Sequence, residues 1–251
     1  MNSEVTGLVD FHCHLDLYPD FEALIQECEE QQVFTLGVTT TPDAWPRNHA
    51  LTKGTRHVRS ALGIHPQLVA SRPSEVEAWD RYLPEARYIG EVGLDSGPEH
   101  FNTLGAQKDV FAHVLERCAR AGAKVLTVHS VRSATAVLDM LEEYAVTNNN
   151  RVVFHWFTGS AREAARAAEL GCYFSVNEWM FKKESRRAVV AKLPVDRIIT
   201  ETDGPFTKTG DRPARPRDVS SAVDELCQLI RVGRSEMATT IRRNLRTLLT
   251  E

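Results

Sequence analysis

No two cysteines in this chain stand in a C-x-x-C spacing, and their number is odd: Cys13, Cys28, Cys118, Cys172 and Cys227 are scattered through 251 residues. That pattern argues against a disulfide framework and against a thiolate zinc site. Four of the five lie in apolar or helix-like surroundings, where a buried thiol is the expectation. Nowhere do about 18 apolar residues follow one another without interruption, so no membrane span is expected. Residues 1–9 hold no cationic stretch followed by a long apolar run, so no secretory signal is evident, and the expected compartment is the cytoplasm. An excess of positive charge is also missing. Lys and Arg total 30 against 34 for Asp and Glu, a formal charge of −4, which excludes coating of nucleic acid or membrane through bulk charge. A local basic site remains open. With 42% hydrophobic and 25% charged residues, the chain is neither disordered nor of low complexity.

What is present is an alternation. Short runs rich in Val, Ile, Leu, Phe or Tyr fall at residues 7–11, 33–38, 58–63, 88–91, 124–128, 151–154, 173–176 and 197–200, and read as strands buried on both faces of a parallel sheet. Helical patterns lie between them, at 21–31, 74–86, 104–121, 134–144, 161–170 and 185–192. In the longest, Val110, Phe111, Val114, Leu115 and Cys118 recur at three- and four-residue steps and form an apolar stripe. Gly122 and Gly171 read as helix stops. The weakest segment is 41–54, where Pro42 and Pro46 predict a short or irregular helix. Two further helices are expected at 219–232 and 235–249. Eight strand–helix alternations in a chain of this length predict an α/β fold, a single (β/α)₈ TIM-type barrel spanning 1–251 as one domain.

Such a barrel keeps its chemistry at the C-terminal ends of its strands. There the sequence places His12 and His14, His65, Glu91, His129, His155 and Asp203, so five of nine histidines fall at one rim. Alternate side chains of an extended segment share a face, so His12 and His14 can reach one ion. Imidazoles and carboxylates are ordinary ligands of transition metals. Four histidines with Glu91 and Asp203 exceed the needs of one tetrahedral ion, whereas two ions about 3.5–4 Å apart, bridged by a carboxylate, would use all six. Such paired sites activate water for attack at phosphorus or at a carbonyl carbon.

The segments His12-Cys13-His14, Gly63-Ile64-His65-Pro66, Ile89-Gly90-Glu91-Val92-Gly93-Leu94-Asp95, His129-Ser130, His155-Trp156-Phe157-Thr158-Gly159-Ser160 and Glu201-Thr202-Asp203-Gly204-Pro205-Phe206 closely resemble, in the family's own order, the TatD metal-dependent deoxyribonucleases. Asn244 and Leu248-Leu249 are similar to the family's ending. The runs Asp10-Phe11-His12-Cys13-His14-Leu15-Asp16-Leu17-Tyr18-Pro19 and Phe174-Ser175-Val176-Asn177 look most like the QatD branch of bacterial Qat anti-phage systems. The resemblance implies an amidohydrolase-like barrel with two divalent cations (Zn²⁺, Mg²⁺ or Mn²⁺). His12, His14 and Asp203 would hold one with Glu91, which bridges to a second completed by His129 and His155. It also implies that Asp203 orients or deprotonates the attacking water, and that His65 lies near the substrate phosphate. By its sequence position alone, His65 reads equally well as a loop histidine beside a turn proline. Departures from the family pattern concern substrate shape. Val131 takes the place of the usual Arg, and Arg132, which follows it, is expected to face the site and contact the substrate. Ser96-Gly97-Pro98 replaces an aromatic residue, Pro213-Ala214-Arg215-Pro216 lacks the customary Asn, and Asn177-Glu178-Trp179-Met180-Phe181 is bulkier than usual.

Two segments bear on an anionic substrate. Residues 181–187 count four positive charges against one negative, and residues 207–217 hold Lys208, Arg212, Arg215 and Arg217 against Asp211. On the barrel reading both follow late strands, so Lys182 and Lys183 either contact phosphates or form a solvated charge run. Trp156 and Trp179 either stack on unpaired bases or pack as core and lid. The first expectation is therefore hydrolysis of DNA, in single strands or at ends, in concert with other Qat proteins. Two rivals remain open. One is a binuclear enzyme acting on an amide, lactone or phosphotriester, many of which bridge their metals with a modified Lys where Glu91 stands here. The other is a non-catalytic barrel subunit of a defence complex.

Overall fold

The computed structural model describes residues 7–72 and 74–250. Residues 1–6, part of the stretch read above for a leader signal, lie outside the described residues. Eight strands run parallel in a single sheet whose spatial order is their sequence order: β1 Val9–Cys13, β2 Phe34–Val38, β3 Val58–Leu62, β4 Tyr88–Asp95, β5 Val125–Val131, β6 Arg151–His155, β7 Tyr173–Val176 and β8 Ile198–Thr200. Between them run α1 Phe21–Glu30, α2 Trp45–Thr52, α3 Glu75–Tyr82, α4 Leu104–Ala121, α5 Ala134–Glu143, α6 Ala161–Glu169 and α7 Glu184–Val190. Beyond β8 come a small antiparallel hairpin, β9 Lys208–Thr209 with β10 Arg212–Pro213, and then α8 Ser220–Ile230 and α9 Arg234–Thr250. This is the expected (β/α)₈ barrel. Strand interiors are buried almost throughout, as they must be when helices cover one face and opposing strands the other.

The helices dock where the sequence periodicity put them. In α4, Phe111, Val114, Leu115 and Cys118 are buried and Val110 packs half-buried beside them, and burying each large apolar side chain contributes about 1.5–3 kcal/mol. Gln107 joins this face as a buried polar residue. Its Oε1 accepts from the Asp95 amide at 2.7 Å while its Nε2 donates to the Asp95 carbonyl at 3.1 Å, so α4 fixes the end of β4. Segment 41–54 resolves into a 3₁₀ turn, Pro42–Ala44, leading into α2. Pro46 is accommodated there because it falls in the first turn, where its missing N–H has no acceptor to lose. Helix α6 starts with a reciprocal cap in which the Ser160 hydroxyl accepts from the Glu163 amide and the Glu163 carboxylate accepts from the Ser160 amide.

Strands β4 and β5 extend beyond their expected ends, to Asp95 and Val131. Two glycines, Gly90 and Gly93, lie at this extension of β4, and both are required by close packing. A Cβ on Gly90 would stand 2.0 Å from the Thr127 methyl, and Gly93 adopts φ +138° with its Cα side against the His129 carbonyl, a region that side chains with a Cβ seldom occupy.

The barrel closes between β1 and β8 through loop and side-chain bonds. The Asp203 amide donates to the His12 carbonyl at 2.9 Å and the His14 amide to the Gly204 carbonyl at 2.8 Å. Beneath them the fully buried Asp10 carboxyl accepts from the Thr202 amide at 2.8 Å and the Thr202 hydroxyl at 2.6 Å. Burial pushes the Asp10 carboxyl well above the usual range, although the Thr202 bonds oppose this. Replacing Asp10 by Ala removes the acceptor of three buried donors, the Thr202 amide and hydroxyl and the His12 amide, and is expected to destabilise the protein by about 3 kcal/mol. Asp10→Asn, which keeps an acceptor oxygen, is expected to cost less. Urea unfolding of the two variants checks this, and equal stabilities would contradict it.

Candidate metal centre

The site is built outward from Glu91. The β4–β5 ladder shifts register between Ile89 and Val92, and the Glu91 side chain enters the barrel mouth only 2% exposed. Its two oxygens face different groups of imidazoles. Oε2 lies 3.4 Å from His12 Nε2, 3.3 Å from His14 Nε2 and 3.2 Å from His65 Nε2. Oε1 lies 2.6 Å from His129 Nδ1 and 3.4 Å from His155 Nε2. Asp203, at the end of β8, brings Oδ1 to 3.6 Å from His14 Nε2 and 3.8 Å from His12 Nε2. The structure therefore brings together all six of the expected ligands, and adds His65 as a fifth imidazole.

Each ring is aimed by what it touches on its far side. His12 Nδ1 is bonded to the Thr127 hydroxyl at 2.9 Å, His155 Nδ1 to Glu201 at 3.1 Å and His129 Nε2 to Asp95 at 3.0 Å. Such outer contacts fix tautomer and orientation, as they do around bound metals. His12 Nε2 is then left buried and without a hydrogen-bond partner, pointing at Glu91. An orphaned buried imidazole nitrogen beside two carboxylates is the donor set of a divalent metal. Among the described residues, three groupings have ligand atoms close enough to share an ion: His12, His14 and Glu91; His65, Glu91 and His129; and His12, His155 and Glu201. The third is the poorest, because the Glu201 carboxylate already accepts from His155, Ser175, the Asn177 amide and the Trp156 backbone. The expected second set, Glu91, His129 and His155, is not one of the three, although both of its rings lie against Glu91 Oε1.

Electrostatics follow from burial and proximity. Burial alone would raise the Glu91 carboxyl, but the charges of His65, His155, His12 and His129 hold it well below the usual range. Burial also opposes charge on the histidines. Bonds to Asp203 and Glu91 nonetheless lift His14 to about 9, and Glu201 and Glu91 lift His155 to about 10. His12, deepest and beside His155, is pushed down.

The mouth above is a cavity of about 510 Å³, lined among others by Gln67, Ser130, Arg132, Trp156, Arg186 and Phe206. Arg132, Trp156 and Asp203 all sit at positive φ, +52°, +38° and +58°, backbone conformations that cluster at functional sites. Arg132 and Trp156 thus stand where a substrate-contacting role was expected. Lys182 and Lys183 do not line this cavity. Lys182 turns to Glu178 at 3.2 Å and over the Trp179 ring at 4.0 Å, facing a separate cleft with Trp179, and Lys183 is exposed. In the second charged segment, Arg212 pairs with Asp218, and Arg215 and Arg217 pair with Glu27, so those charges are largely spent within the protein.

Four contributors escaped the sequence reading. Asp95 carried a signal: on a strand it shares a face with Glu91, four residues earlier. Glu201 lies two residues before Asp203 in the same way. Thr127 carried none, being an ordinary strand threonine. Arg186 sat inside the charged run, where only helix geometry separates it from its neighbours.

A family model described as TatD related DNase matches residues 9–250. The chain is 30% identical over 249 residues to the uncharacterized metal-dependent hydrolase YcfH of Escherichia coli K12, covering 88% of this chain and 92% of that protein. It is 30% identical over 176 residues to the 3'-5' ssDNA/RNA exonuclease TatD of Cronobacter turicensis, covering 68% and 65% respectively. The crystal structure of YJJV, a TatD homolog from Escherichia coli, superposes with a TM-score of 0.84 at 26% identity over 96% of this chain and 97% of that one.

Because His14 and His155 hold protons up to about pH 9 and 10 without metal, metal capture displaces protons, and affinity is expected to rise with pH through the neutral range. Titration calorimetry in buffers of different ionisation enthalpy counts those protons. Metal uptake without proton release would contradict the assignment.

Proposed function

Because this chain belongs to the TatD family of metal-dependent hydrolases, we propose that it is a metal-dependent deoxyribonuclease that hydrolyses phosphodiester bonds in single strands or at strand ends. The observation that carries this reading is the Glu91 carboxylate, each of whose oxygens faces its own group of imidazoles. His12, His14, Asp203 and Glu91 would hold one divalent cation; Glu91, His129 and His155 would hold a second. Cations bound there would polarise the phosphoryl oxygen, acidify water and stabilise the leaving oxygen.

The protein's own groups do the positioning and the proton handling. Asp203 sits nine-tenths buried or more beside the two histidines of β1, and burial is outweighed by those imidazoles, which hold its carboxyl below the usual range. An ionised carboxylate at that place orients water and can accept its proton. His65, with Nδ1 fixed by the Gln67 amide at 3.2 Å and Nε2 3.2 Å from Glu91 Oε2, lines the cavity beside the centre, where it would lie near the substrate phosphate. Arg132 and Trp156 contact the substrate at the mouth. The name carried by the Cronobacter relative supports the preference for unpaired strands.

Residues 1–251 form one catalytic domain on this reading. Its place is bacterial anti-phage defence, in the cytoplasm with other Qat proteins, a placement supported by the wording of the segments around His12 and Phe174. The amide- or lactone-cleaving alternative has less support, since Glu91 and not a Lys occupies the centre. Glu91→Ala and Asp203→Asn are each expected to lower metal-dependent DNA cleavage by roughly 10³-fold or more, with circular dichroism unchanged. Cleavage retained in both would overturn the proposal, and turnover of amides or lactones with inert DNA would favour the rival.

A further inference from the structure

The cavity above the centre has a cation that neither the sequence motifs nor the family resemblance assigns. Arg186, on α7, is half-buried and forms part of the wall. Its neighbours along the chain are neutralised: Lys182 by Glu178 and Arg187 by Glu225 at 2.8 Å. Among the described residues, no carboxylate lies within ion-pair distance of Arg186, nor of Arg132 on the same wall. A half-buried guanidinium beside a cavity and without a counter-ion is a ready acceptor site for an anion.

Topology fixes where such an anion would lie. Arg132 follows β5 and Arg186 lies on the helix after β7, and these strands flank β6 in the sheet. The end of β6 carries His155, against Glu91, and then Trp156. The two guanidiniums therefore bracket the line running from the centre outward past Trp156. On the other side of the mouth Phe206 is 63% exposed, with its ring edge-to-face against His14 at 5.0 Å, and leaves an aromatic surface open to a base. A lone phosphodiester seated over Glu91 would use none of this.

We propose that Arg186 binds a phosphate adjacent to the scissile one, so that the preferred substrate is a polynucleotide carrying a flanking phosphate and not a simple phosphodiester. This rests on the nuclease reading above and deepens it. Arg186 acts as a specificity residue: it contributes binding to the chain of phosphates and nothing to the reacting bond, while Arg132 holds the opposite flank.

The test compares two substrates in the same metal-supplemented buffer: bis(p-nitrophenyl) phosphate, which has a single phosphate, and a single-stranded oligodeoxynucleotide. Arg186→Ala is expected to lower kcat/KM on the oligonucleotide by roughly 10- to 100-fold, mainly through KM, and to leave bis(p-nitrophenyl) phosphate within about twofold. The slope of log KM against log salt is expected to shrink by about 0.7 for the one lost contact. Arg186→Lys, which keeps the charge, restores part of the loss. Equal losses on both substrates, or no loss on the oligonucleotide, would overturn the assignment. A wild-type protein that cleaves bis(p-nitrophenyl) phosphate but no oligonucleotide would overturn the nuclease reading, and this proposal with it.

Discussion

A carboxylate buried among five imidazoles is the constraint from which the site takes its form. Glu91 is almost wholly removed from water, and each of its oxygens is hemmed in by histidine nitrogens at 2.6 to 3.4 Å. An isolated ionised carboxyl in that place would cost several kcal/mol or more. It is tolerable only because positive charge is close by. Without metal that charge must come from protonated imidazoles such as His14 and His155, and in the proposed working state it comes from cations. Protons and metal compete for the same nitrogens, which ties loading of the centre to pH.

The surrounding barrel keeps these atoms from relaxing apart. Thr127, Glu201 and Asp95 brace the far sides of His12, His155 and His129. Asp95 is itself held by Gln107 of α4 and by Gln67 at 2.8 Å, so a helix on the outside of the barrel reaches the centre through two hydrogen bonds. The seam between β1 and β8, locked by Asp10 and Thr202, sets Asp203 beside the β1 histidines although 191 positions of chain separate Asp203 from His12. Rigidity of this kind is what a metal-using hydrolase requires, since misplacement of a ligand or base by about an ångström costs rate.

Much of this was legible in the sequence because barrels put chemistry at strand ends and because strand periodicity is strict. The His12/His14 pair, Glu91, His129, His155 and Asp203 could be named from that rule alone. The fold followed from eight apolar runs separated by helical stripes. What stayed hidden depends on tertiary packing. The lysines at 182 and 183 and the arginines at 212, 215 and 217 look alike as charges, yet Glu178, Asp218 and Glu27 neutralise most of them once the chain folds. Arg186 lies on α7 and reaches the cavity wall, whereas Lys183 precedes that helix and stays exposed. Thr127 acquires its role from the His12 ring across the barrel, a contact no local pattern announces. The expected end of β4 at residue 91 fell short of Asp95, where Gly90 and Gly93 mark close packing within the strand.

The central claim is that Glu91 is shared between two cations, one per oxygen. Anomalous diffraction from crystals soaked with Mn²⁺ tests it most directly. The account predicts two anomalous peaks in contact with the Glu91 carboxylate, one flanked by His12, His14 and Asp203 and the other by His129 and His155. Peaks confined to other carboxylates, or a single peak that leaves one of those histidine groups empty, would contradict it.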